Sequence, residues 1–396
     1  MNFIPPHRPA LPRRGLIGLL CLAIATTAAS VWAAPPPPSL SVESVLQPFV
    51  DSHSLAGAVT LVATKDEVLS LAAVGFADIA GRKHMRSDAL FWIASQSKPM
   101  TATTLMMLVD EGKVHLDDPV EKYLPEFKGQ MVVAERDSEH ALLRKPDHPI
   151  TVREILSHTS GLPFSSALEQ PTLDGLPLRD AVRSYAMTPL QFPPGSKYQY
   201  SNAGINTAGR IIEVVSGMPY EKFMTERLFQ PLGMKDTTFW PSEAQVKRLA
   251  KSYKPNQEKN ALELTTVTQL RYPLSDRGNR YPMPAGGLFS TATDTVKFCQ
   301  MILNGGVYKG KRLLTEEGVR EMTRKQTGPD IKDGYGLGFS TGPGWCGHGG
   351  AYATNMTIDR ERGLILVWMV QHAGYPGNGS QSQEAFKKAA LARFSK

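Results

Sequence analysis

The sequence predicts an α+β fold in which one antiparallel sheet is flanked by helices and a mainly helical domain is inserted between its strands. Near the N-terminus, Ala56–Ala63 and Val68–Phe76 alternate with period two on either side of a polar turn, a pattern typical of a β-hairpin. Near the C-terminus, strand-like runs occupy Tyr335–Ser340, Tyr352–Asp359 and Leu364–Val370. The last run is almost entirely apolar, so we expect it in the centre of the sheet.

The section between these two groups of strands has a different character. Residues 112–284 are rich in proline, glycine and short helical patterns, and strand patterns are sparse there. We therefore predict a sheet domain formed by residues 34–111 and 285–396, with residues 112–284 as the inserted, mainly helical domain. Within it, the segment Lys128–His148 has the character of an insertion with no evident role.

Helices are predicted at both ends of the sheet domain and inside the inserted domain. Ser41–Asp51 and Gln381–Phe394 have amphipathic patterns, and Ala203–Ser216 is followed by a glycine that would end a helix. Pro219–Phe229 is a further helical pattern. A helix from Thr291 to Leu303 begins with the residue spacing of a capping box.

The first 33 residues have the features of a secretory signal peptide. Three arginines precede the apolar stretch Leu16–Ala25, and Val31-Trp32-Ala33 offers small residues for cleavage. Arg13-Arg14 also resembles a twin-arginine export signal. The alternative is an uncleaved membrane anchor, for which the apolar run is short. We expect a periplasmic or secreted protein with no stable membrane span after cleavage, joined to its signal by an extended tether at Pro35–Pro38.

Composition excludes several classes of protein. Hydrophobic residues make up 41% and charged residues 20% of the 396 residues, as in an ordinary globular enzyme. The formal net charge is +7, but the basic residues are scattered among acids, so a nucleic-acid partner is not expected. The histidines are dispersed, so we predict neither a metal site nor a cofactor. Cys299 and Cys346 could form one disulfide or remain two separate buried thiols, and the oligomeric state stays open.

A nucleophile and a base are suggested by Ser95 and Lys98. An apolar helix is predicted to begin at Ser95, and side chains three positions apart share one face of a helix. The lysine ammonium can therefore reach the serine hydroxyl, and first-turn N–H groups lie where an oxyanion would form. Lys98 can act as a base only if its pKa is lowered. Ser95 is the only serine in the chain with a lysine three residues later.

A partner for Lys98 is found in Tyr200-Ser201-Asn202. A tyrosine hydroxyl beside a lysine can relay protons between nucleophile and leaving group, and an asparagine amide can position both the lysine and a substrate carbonyl. Taken alone, the segment is a turn before a helix, with Asn202 as the N-cap.

A third candidate element is the glycine-rich segment Trp345–Ala351 at the start of a strand. Gly349 and Gly350 would let the backbone approach a ligand, and an edge strand beside the serine could offer an N–H to an oxyanion. The alternative is a glycine turn in which His348 has no functional role.

A competing nucleophile is Ser340, since Gly338-Phe339-Ser340-Thr341-Gly342 fits the Gly-x-Ser-x-Gly pattern of α/β-hydrolases. That pattern requires a strand, a sharp turn and then a helix. Here Gly342-Pro343-Gly344 and another strand follow, so we prefer Ser340 as a strand end.

In the order Ser-x-x-Lys, Tyr-x-Asn and His-Gly-Gly, the three motifs make residues 40–390 resemble the serine β-lactamase and penicillin-binding-protein family, most closely its class C and esterase-like branch. Further parts of the resemblance are His158–Pro163, Pro231–Met234 and Ala285-Gly286-Gly287. The resemblance implies a β-lactamase/transpeptidase-like fold.

The same resemblance implies a role for each site residue. Ser95 would be the acylated nucleophile, Lys98 its base, Tyr200 the proton relay and Asn202 a substrate-orienting amide. The N–H groups of Ser95 and Ala351 would form the oxyanion hole, with His348, Gly349 and Gly350 completing the substrate-binding edge.

One departure from the family pattern bears on the substrate. Members that act on β-lactams or D-alanyl-D-alanine usually carry Lys-Thr-Gly where this chain has His348-Gly349-Gly350. Imidazole is mostly neutral at pH 7 and supplies little charge to a substrate carboxylate. We therefore expect an exported esterase or amidase acting on a small molecule or peptide, with carboxylate-bearing substrates improving as the pH falls toward 6. The alternatives are a β-lactamase or D-alanyl-D-alanine carboxypeptidase, and an inactive binder of peptides or cell-wall fragments.

Overall fold

The hairpin predicted near the N-terminus forms two neighbouring strands of the main sheet in the computed structural model, which describes residues 41–395. The predicted signal peptide and the tether Pro35–Pro38 lie outside the described residues. In chain order, the strands are Gly57–Ala63 (β1), Val68–Asp78 (β2), Lys83–His84 (β3), Phe91–Trp92 (β4), Val132–Arg136 (β5), Ala141–Arg144 (β6), Ser252–Pro255 (β7), Leu262–Thr265 (β8), Phe289–Ser290 (β9), Val307–Tyr308 (β10), Lys311–Arg312 (β11), Ser340–Gly342 (β12), Trp345–Gly349 (β13), Asn355–Asp359 (β14) and Leu364–Met369 (β15).

Strands from the two ends of the chain join in one seven-stranded sheet, in the order β12-β13-β14-β15-β1-β2-β3. Every neighbouring pair is antiparallel. Strand β15 lies between β14 and β1, and all six of its residues are buried. The predicted α+β class and the central position of this apolar run are confirmed.

Helices cover the sheet and fill the middle of the chain. They are Val42–Asp51 (α1), Ser97–Asp110 (α2), Val152–Ser157 (α3), Leu178–Ala186 (α4), Asn202–Ser216 (α5), Tyr220–Met224 (α6), Gln230–Leu232 (α7), Glu243–Val246 (α8), Ala292–Leu303 (α9), Glu316–Thr323 (α10) and Ser382–Phe394 (α11). A π-helical segment, Thr225–Phe229, joins α6 to α7. Within residues 41–395, none of the helices has the length and apolarity needed to cross a membrane.

Alternation along the strands sends side chains to two separate cores. On β15, Leu366 and Trp368 face a small core formed with α1 and α11, where Phe386 stacks on Trp368. Ile365 and Val367 face the opposite side, where the main core contains residues of α2 and α9. Each large apolar side chain buried in this way stabilises the fold by roughly 1.5–3 kcal/mol, so the period-two pattern fixes which face meets which helix.

Several predicted details are wrong. The run Tyr335–Ser340 is not a strand, because closely spaced glycines turn the chain there and Gly338 has φ +75°. Only an isolated bridge links Tyr335 to Ser340, where β12 begins. The run predicted over Tyr352–Asp359 pairs only from Asn355, after a turn in which Gly350 N donates to Thr354 O.

Helix α5 begins with a different cap from the one predicted. Ser201 is the N-cap, since its side chain accepts the N–H of Gly204, and Asn202 is the first helical residue. A serine hydroxyl serves this position as well as an asparagine amide does, so the amide of Asn202 is left available for other contacts.

The middle section combines α3 to α8 with two small hairpins. One hairpin pairs β5 with β6 and makes up much of the segment Lys128–His148, and the other pairs β7 with β8. Helix α5 crosses α3 closely, because a Cβ on Gly204 would lie 2.6 Å from the carbonyl oxygen of Ile155. The division into a sheet domain and an inserted domain stays a prediction.

Candidate active site

Ser95 lies in a strained turn between a short strand and a helix. Strand β4 pairs with β9, and Ile93 N donates to Leu288 O at 3.0 Å, which ties the approach to the turn. Ala94 has φ +47°, a left-handed conformation that costs a residue with a Cβ about 1–3 kcal/mol. Ser95 follows in a 3₁₀ turn, Ala94–Gln96, two residues before α2. The helix therefore starts slightly later than predicted, and Ser95 is partly exposed while its neighbours are buried.

Lys98 is fully buried beneath Ser95 and has three polar neighbours. Its Nζ lies 3.1 Å from Ser95 Oγ, 2.8 Å from Asn202 Oδ1 and 2.8 Å from the carbonyl oxygen of Ala285. The last two oxygens can only accept, so each takes one N–H of the lysine. A neutral amine then has its lone pair left for the Ser95 hydroxyl. Burial holds the pKa of Lys98 well below its usual value, which favours this neutral form.

The aromatic ring of Tyr200 lies against the amino group of Lys98. Its ring centroid is 4.5 Å from Lys98 Nζ. Burial raises the pKa of the Tyr200 phenol, and a hydrogen bond with the Ser95 side chain opposes that rise. The phenol is therefore protonated at neutral pH and lies next to the hydroxyl of Ser95, where it can donate or accept a proton.

The segment that carries Tyr200 and Asn202 is held by the loop after α3. Ser201 N donates to His158 Nδ1 at 3.2 Å, and Ser201 Oγ donates to Pro163 O at 2.6 Å. Asn202 N donates to Phe164 O at 3.0 Å. These bonds place the start of α5 so that the Asn202 amide reaches Lys98 across 104 residues of sequence.

The end of β13 lies against the turn that carries Ser95. Only Trp345, Cys346 and Gly347 pair with β12, so the strand is not an edge strand along its whole length, but its last residues project past β12 toward the 3₁₀ turn. A Cβ on Gly350 would clash with Thr354 Oγ1 and lie 2.6 Å from Ile93 O. The backbone at Gly350 and the backbone at Ile93 are therefore as close as a glycine allows. The next residue, Ala351, is exposed, and its N–H makes no hydrogen bond to another residue in 41–395.

His348 has both ring nitrogens occupied by protein groups. Nδ1 is 2.6 Å from Gly349 O, which can only accept, so Nδ1 carries the proton and donates. Nε2 then accepts the hydroxyl hydrogen of Tyr335 at 2.9 Å. Burial, followed by the charge of Lys98, lowers the pKa of His348 to about 3. The expected improvement of carboxylate substrates toward pH 6 is therefore wrong as far as it depends on protonation of His348.

Sequence comparison identifies the family to which this arrangement belongs. The profile of the family described as Beta-lactamase matches residues 42–390. The chain belongs to the Beta-lactamase family. It is a serine hydrolase of that family, as the sequence predicted.

Its relatives in this family include an esterase. Esterase EstB of Burkholderia gladioli is 28% identical over 389 residues, covering 89% of this chain and 95% of EstB. Protein Rv1367c of Mycobacterium tuberculosis is 29% identical over 367 residues, covering 83% of this chain and 89% of its own. Among solved structures, EstCE1, described as a hydrolase with promiscuous acyltransferase activity, superposes with a TM-score of 0.74 at 24% identity, covering 88% of this chain and 97% of EstCE1. That likeness shows the Beta-lactamase fold.

The structure brings most of the predicted site residues of this family member together. Lys98 contacts Ser95, Tyr200 and Asn202, and the end of β13 lies against the turn that carries Ser95. His348 is beside the cluster but directs both nitrogens inward. Their catalytic roles stay predictions. Ser340, the competing nucleophile, lies in β12 with no helix after it, so the Gly-x-Ser-x-Gly context is absent.

Three residues beside the cluster were not predicted as site residues. The carbonyl of Ala285 accepts from the lysine, His158 holds Ser201, and Tyr335 holds His348. His158 and Ala285 lie in segments already noted for their family resemblance, which was the available signal. Tyr335 carries none, because its segment has the sequence pattern of a strand.

Two predictions about other chemistry concern cysteines and metals. Cys299 and Cys346 are free, buried thiols, and Cys299 Sγ lies 3.6 Å from Met356 Sδ. Of the two alternatives left open, the pair of separate thiols is the one observed. In residues 41–395, no group of three or more His, Cys, Asp or Glu side chains is arranged to hold a metal ion.

Proposed function

We propose that this protein is an exported hydrolase that forms an acyl-enzyme on Ser95 and cleaves esters, or amides, whose reacting carbonyl has no free carboxylate beside it. The observation that carries the proposal is the hydrogen bonding of Lys98. Two obligate acceptors, Asn202 Oδ1 and Ala285 O, take two N–H groups, so the remaining lone pair faces Ser95 Oγ.

In the first half-reaction, Ser95 Oγ attacks the carbonyl carbon while its proton passes to the Lys98 lone pair. The carbonyl π electrons move to the oxygen, and the N–H groups of Ser95 and Ala351 stabilise the resulting oxyanion. As the bond to the leaving group breaks, the Tyr200 hydroxyl gives it a proton and is reprotonated from Lys98. In the second half-reaction, water attacks the acyl group, transfers its proton back through the same groups, and releases the acid and Ser95.

Substrate choice is supported by the state of His348. Relatives with Lys-Thr-Gly place a permanent positive charge at this position, whereas His348 is neutral down to about pH 3 and donates its N–H to Gly349 O. A charge-assisted hydrogen bond to a substrate carboxylate is roughly twice as strong as a neutral one, and here His348 supplies neither. The similarity to esterase EstB agrees with this preference.

A fluorophosphonate probe tests whether Ser95 is a nucleophile. We expect intact-protein mass spectrometry to show one adduct on the wild type and none on Ser95→Ala. If neither protein is labelled, the hydrolase proposal fails, and the inactive binder of peptides or cell-wall fragments takes its place.

Turnover of two substrates tests the preference. We expect kcat/KM for a neutral nitrophenyl ester to exceed that for a chromogenic cephalosporin by at least about tenfold, the equivalent of 1.4 kcal/mol. A wild-type enzyme that prefers the cephalosporin would instead support a β-lactamase or D-alanyl-D-alanine carboxypeptidase.

Export is part of the proposal and rests on residues 1–33. We expect the protein recovered from the periplasm or medium to begin at Ala34, after Val31-Trp32-Ala33. A chain that retains residues 1–33 in the cell would contradict it.

A further inference from the structure

We propose that Asn206 is a positioning residue for the base, acting with Tyr185 and Glu169 through the backbone of Ala285, so that a buried hydrogen-bonded chain orients the lone pair of Lys98. The inference deepens the proposed function and depends on Lys98 being the base. Helix α5 would then reach the lysine twice, directly from Asn202 and, one turn later, indirectly from Asn206.

Asn206 holds the loop whose carbonyl group accepts a hydrogen bond from Lys98. Ala285 N donates to Asn206 Oδ1 at 3.0 Å, and Ala285 O accepts from Lys98 at 2.8 Å. The peptide group between Pro284 and Ala285 is also held at its carbonyl oxygen, since Thr101 of α2 donates to Pro284 O at 2.8 Å. A side chain on Gly209 would clash with Pro284, so the loop packs directly on α5. Ala285 therefore has little freedom as long as Asn206 is in place.

The hydrogen bonds from Asn206 to Glu169 all run in one direction. Because the N–H of Ala285 can only donate, Asn206 must turn Oδ1 toward it and Nδ2 toward Tyr185 Oη, 3.0 Å away. The Tyr185 hydroxyl accepts that N–H and donates to Glu169 Oε1 at 2.6 Å. Glu169 Oε2 accepts the N–H of Ser166 at 2.8 Å. The Asn206 and Tyr185 donors thus point the same way and end on a carboxylate, an arrangement in which each bond strengthens the next.

The side chains that form these hydrogen bonds are buried. Asn206, Tyr185 and Glu169 are 2%, 0% and 2% exposed, so these polar groups could not be replaced by water without opening the interior. Removing one partner leaves its neighbours unpaired, which makes the chain costly to break and keeps it rigid. A rigid Ala285 carbonyl leaves the Lys98 amine one orientation, with the lone pair directed at Ser95.

The pH dependence of activity can report on this arrangement. The titratable groups that face Lys98 are Tyr200, His158 and His348. Burial raises the pKa of the Tyr200 phenol, while burial and the Lys98 charge lower the pKa values of both histidines, so each shift favours the neutral form of its group. The acidic limb of the rate profile should therefore follow Lys98.

The experiment compares Asn206→Ala with Thr207→Val, measuring kcat, KM and their pH profiles on a neutral nitrophenyl ester. Thr207 is equally buried on α5, but its hydroxyl donates only to Ala203 O within the helix. We expect Asn206→Ala to lower kcat about 10- to 100-fold with KM within about twofold, because a base misplaced by up to 1 Å loses that much. Water entering the vacated space should also move the acidic limb up by about one pH unit.

Tyr185→Phe should lower kcat and raise the acidic limb of the pH profile by smaller amounts, and it replaces Asn206→Ala as the test variant if that protein fails to fold. Urea unfolding of each variant separates stability from activity, and Thr207→Val should keep the wild-type profile. Wild-type kcat and pH profile in a folded Asn206→Ala or Tyr185→Phe protein would overturn the positioning role, as would an equal shift in Thr207→Val. Lys98→Ala separates the two proposals: if it is inactive while Asn206→Ala is normal, only the positioning role fails, whereas an active Lys98→Ala removes the proposed base itself.

Discussion

Replacing Gly350 by alanine should damage the site without unfolding the protein. The added Cβ would lie 2.6 Å from Ile93 O and would clash with Thr354 Oγ1. A carbon atom normally approaches a carbonyl oxygen no closer than about 3.3 Å, so the end of β13 must move away by roughly 0.7 Å. Gly350 does not have a positive φ, so the effect is steric and not conformational.

That displacement affects the proposed oxyanion donor directly, because Ala351 is the next residue. Losing one such donor costs about 10²–10³ in kcat, and a misplacement of about 1 Å costs about 10². For a shift of roughly 0.7 Å, we expect kcat on a nitrophenyl ester to fall about 30- to 100-fold. Overpacking should lower the free energy of unfolding by about 1–3 kcal/mol, which urea denaturation would measure.

Gly349→Ala is the matched control, because Gly349 is the neighbouring residue, at the end of β13. A Cβ there would be 3.5 Å from the nearest atom, Asn355 Nδ2, an ordinary contact. Adding Thr354→Ala to Gly350→Ala removes the hydroxyl clash but keeps the backbone contact, so it should restore stability more than activity. The reasoning is refuted if Gly350→Ala keeps wild-type kcat, or if Gly349→Ala loses as much.

Other predictions concern the base, a buried histidine and a buried ion pair. Lys98→Arg should lower kcat/KM by roughly 10³-fold, because a guanidinium stays protonated and cannot accept the proton of Ser95. The wild-type rate should rise with pH through a pKa below that of an ordinary lysine. An active arginine variant would remove Lys98 from the mechanism. His372 Nε2 accepts the N–H of Ala56, and burial lowers the pKa of His372 to about 4 from an unfolded value near 6.5. The contribution of His372 to the free energy of unfolding is therefore complete above pH 6.5 and declines by up to about 3 kcal/mol as the pH falls to 4. Urea titrations at pH 7 and 5 should show a smaller loss in His372→Gln than in the wild type, and equal losses would show that His372 is not the group responsible. Asp174 accepts from Arg280 at 2.7 Å where both side chains are buried, so Asp174→Asn should lower the free energy of unfolding by about 3–5 kcal/mol, and a change below about 1 kcal/mol would mean that the arginine finds other partners.

Much of the site could be predicted from the local spacing of residues in the sequence. Ser95 and Lys98 are three residues apart in one helical stretch, so their contact follows from helix geometry alone. The contact between Lys98 and Asn202 spans 104 residues and could be expected only through the family resemblance. The period-two pattern of the N-terminal hairpin and the apolar run of β15 likewise predicted the sheet, because both patterns are local and do not depend on distant partners.

Contacts made by the backbone could not be anticipated in the same way. The carbonyl of Ala285 has no side-chain signature, yet it is one of the three groups around Lys98 Nζ. Tyr335 was hidden because glycine turns broke the strand that its segment resembled. The orientation of His348 depends on Tyr335 and on Gly349 O, so its residue type alone suggested a contact with substrate that its hydrogen bonds do not make.

The rings of His158, His348 and Tyr200 surround Lys98, and their lack of charge affects how a substrate approaches the site. Burial lowers the pKa values of His158, His348 and Lys98, and each of these shifts favours an uncharged group, so the resting cluster presents little positive charge to solvent. Long-range attraction would then add little to the encounter with a neutral ester, which would proceed by unassisted diffusion. In such a site, kcat/KM should be nearly independent of ionic strength between about 0.01 and 0.5 M, over which the screening length shrinks several-fold.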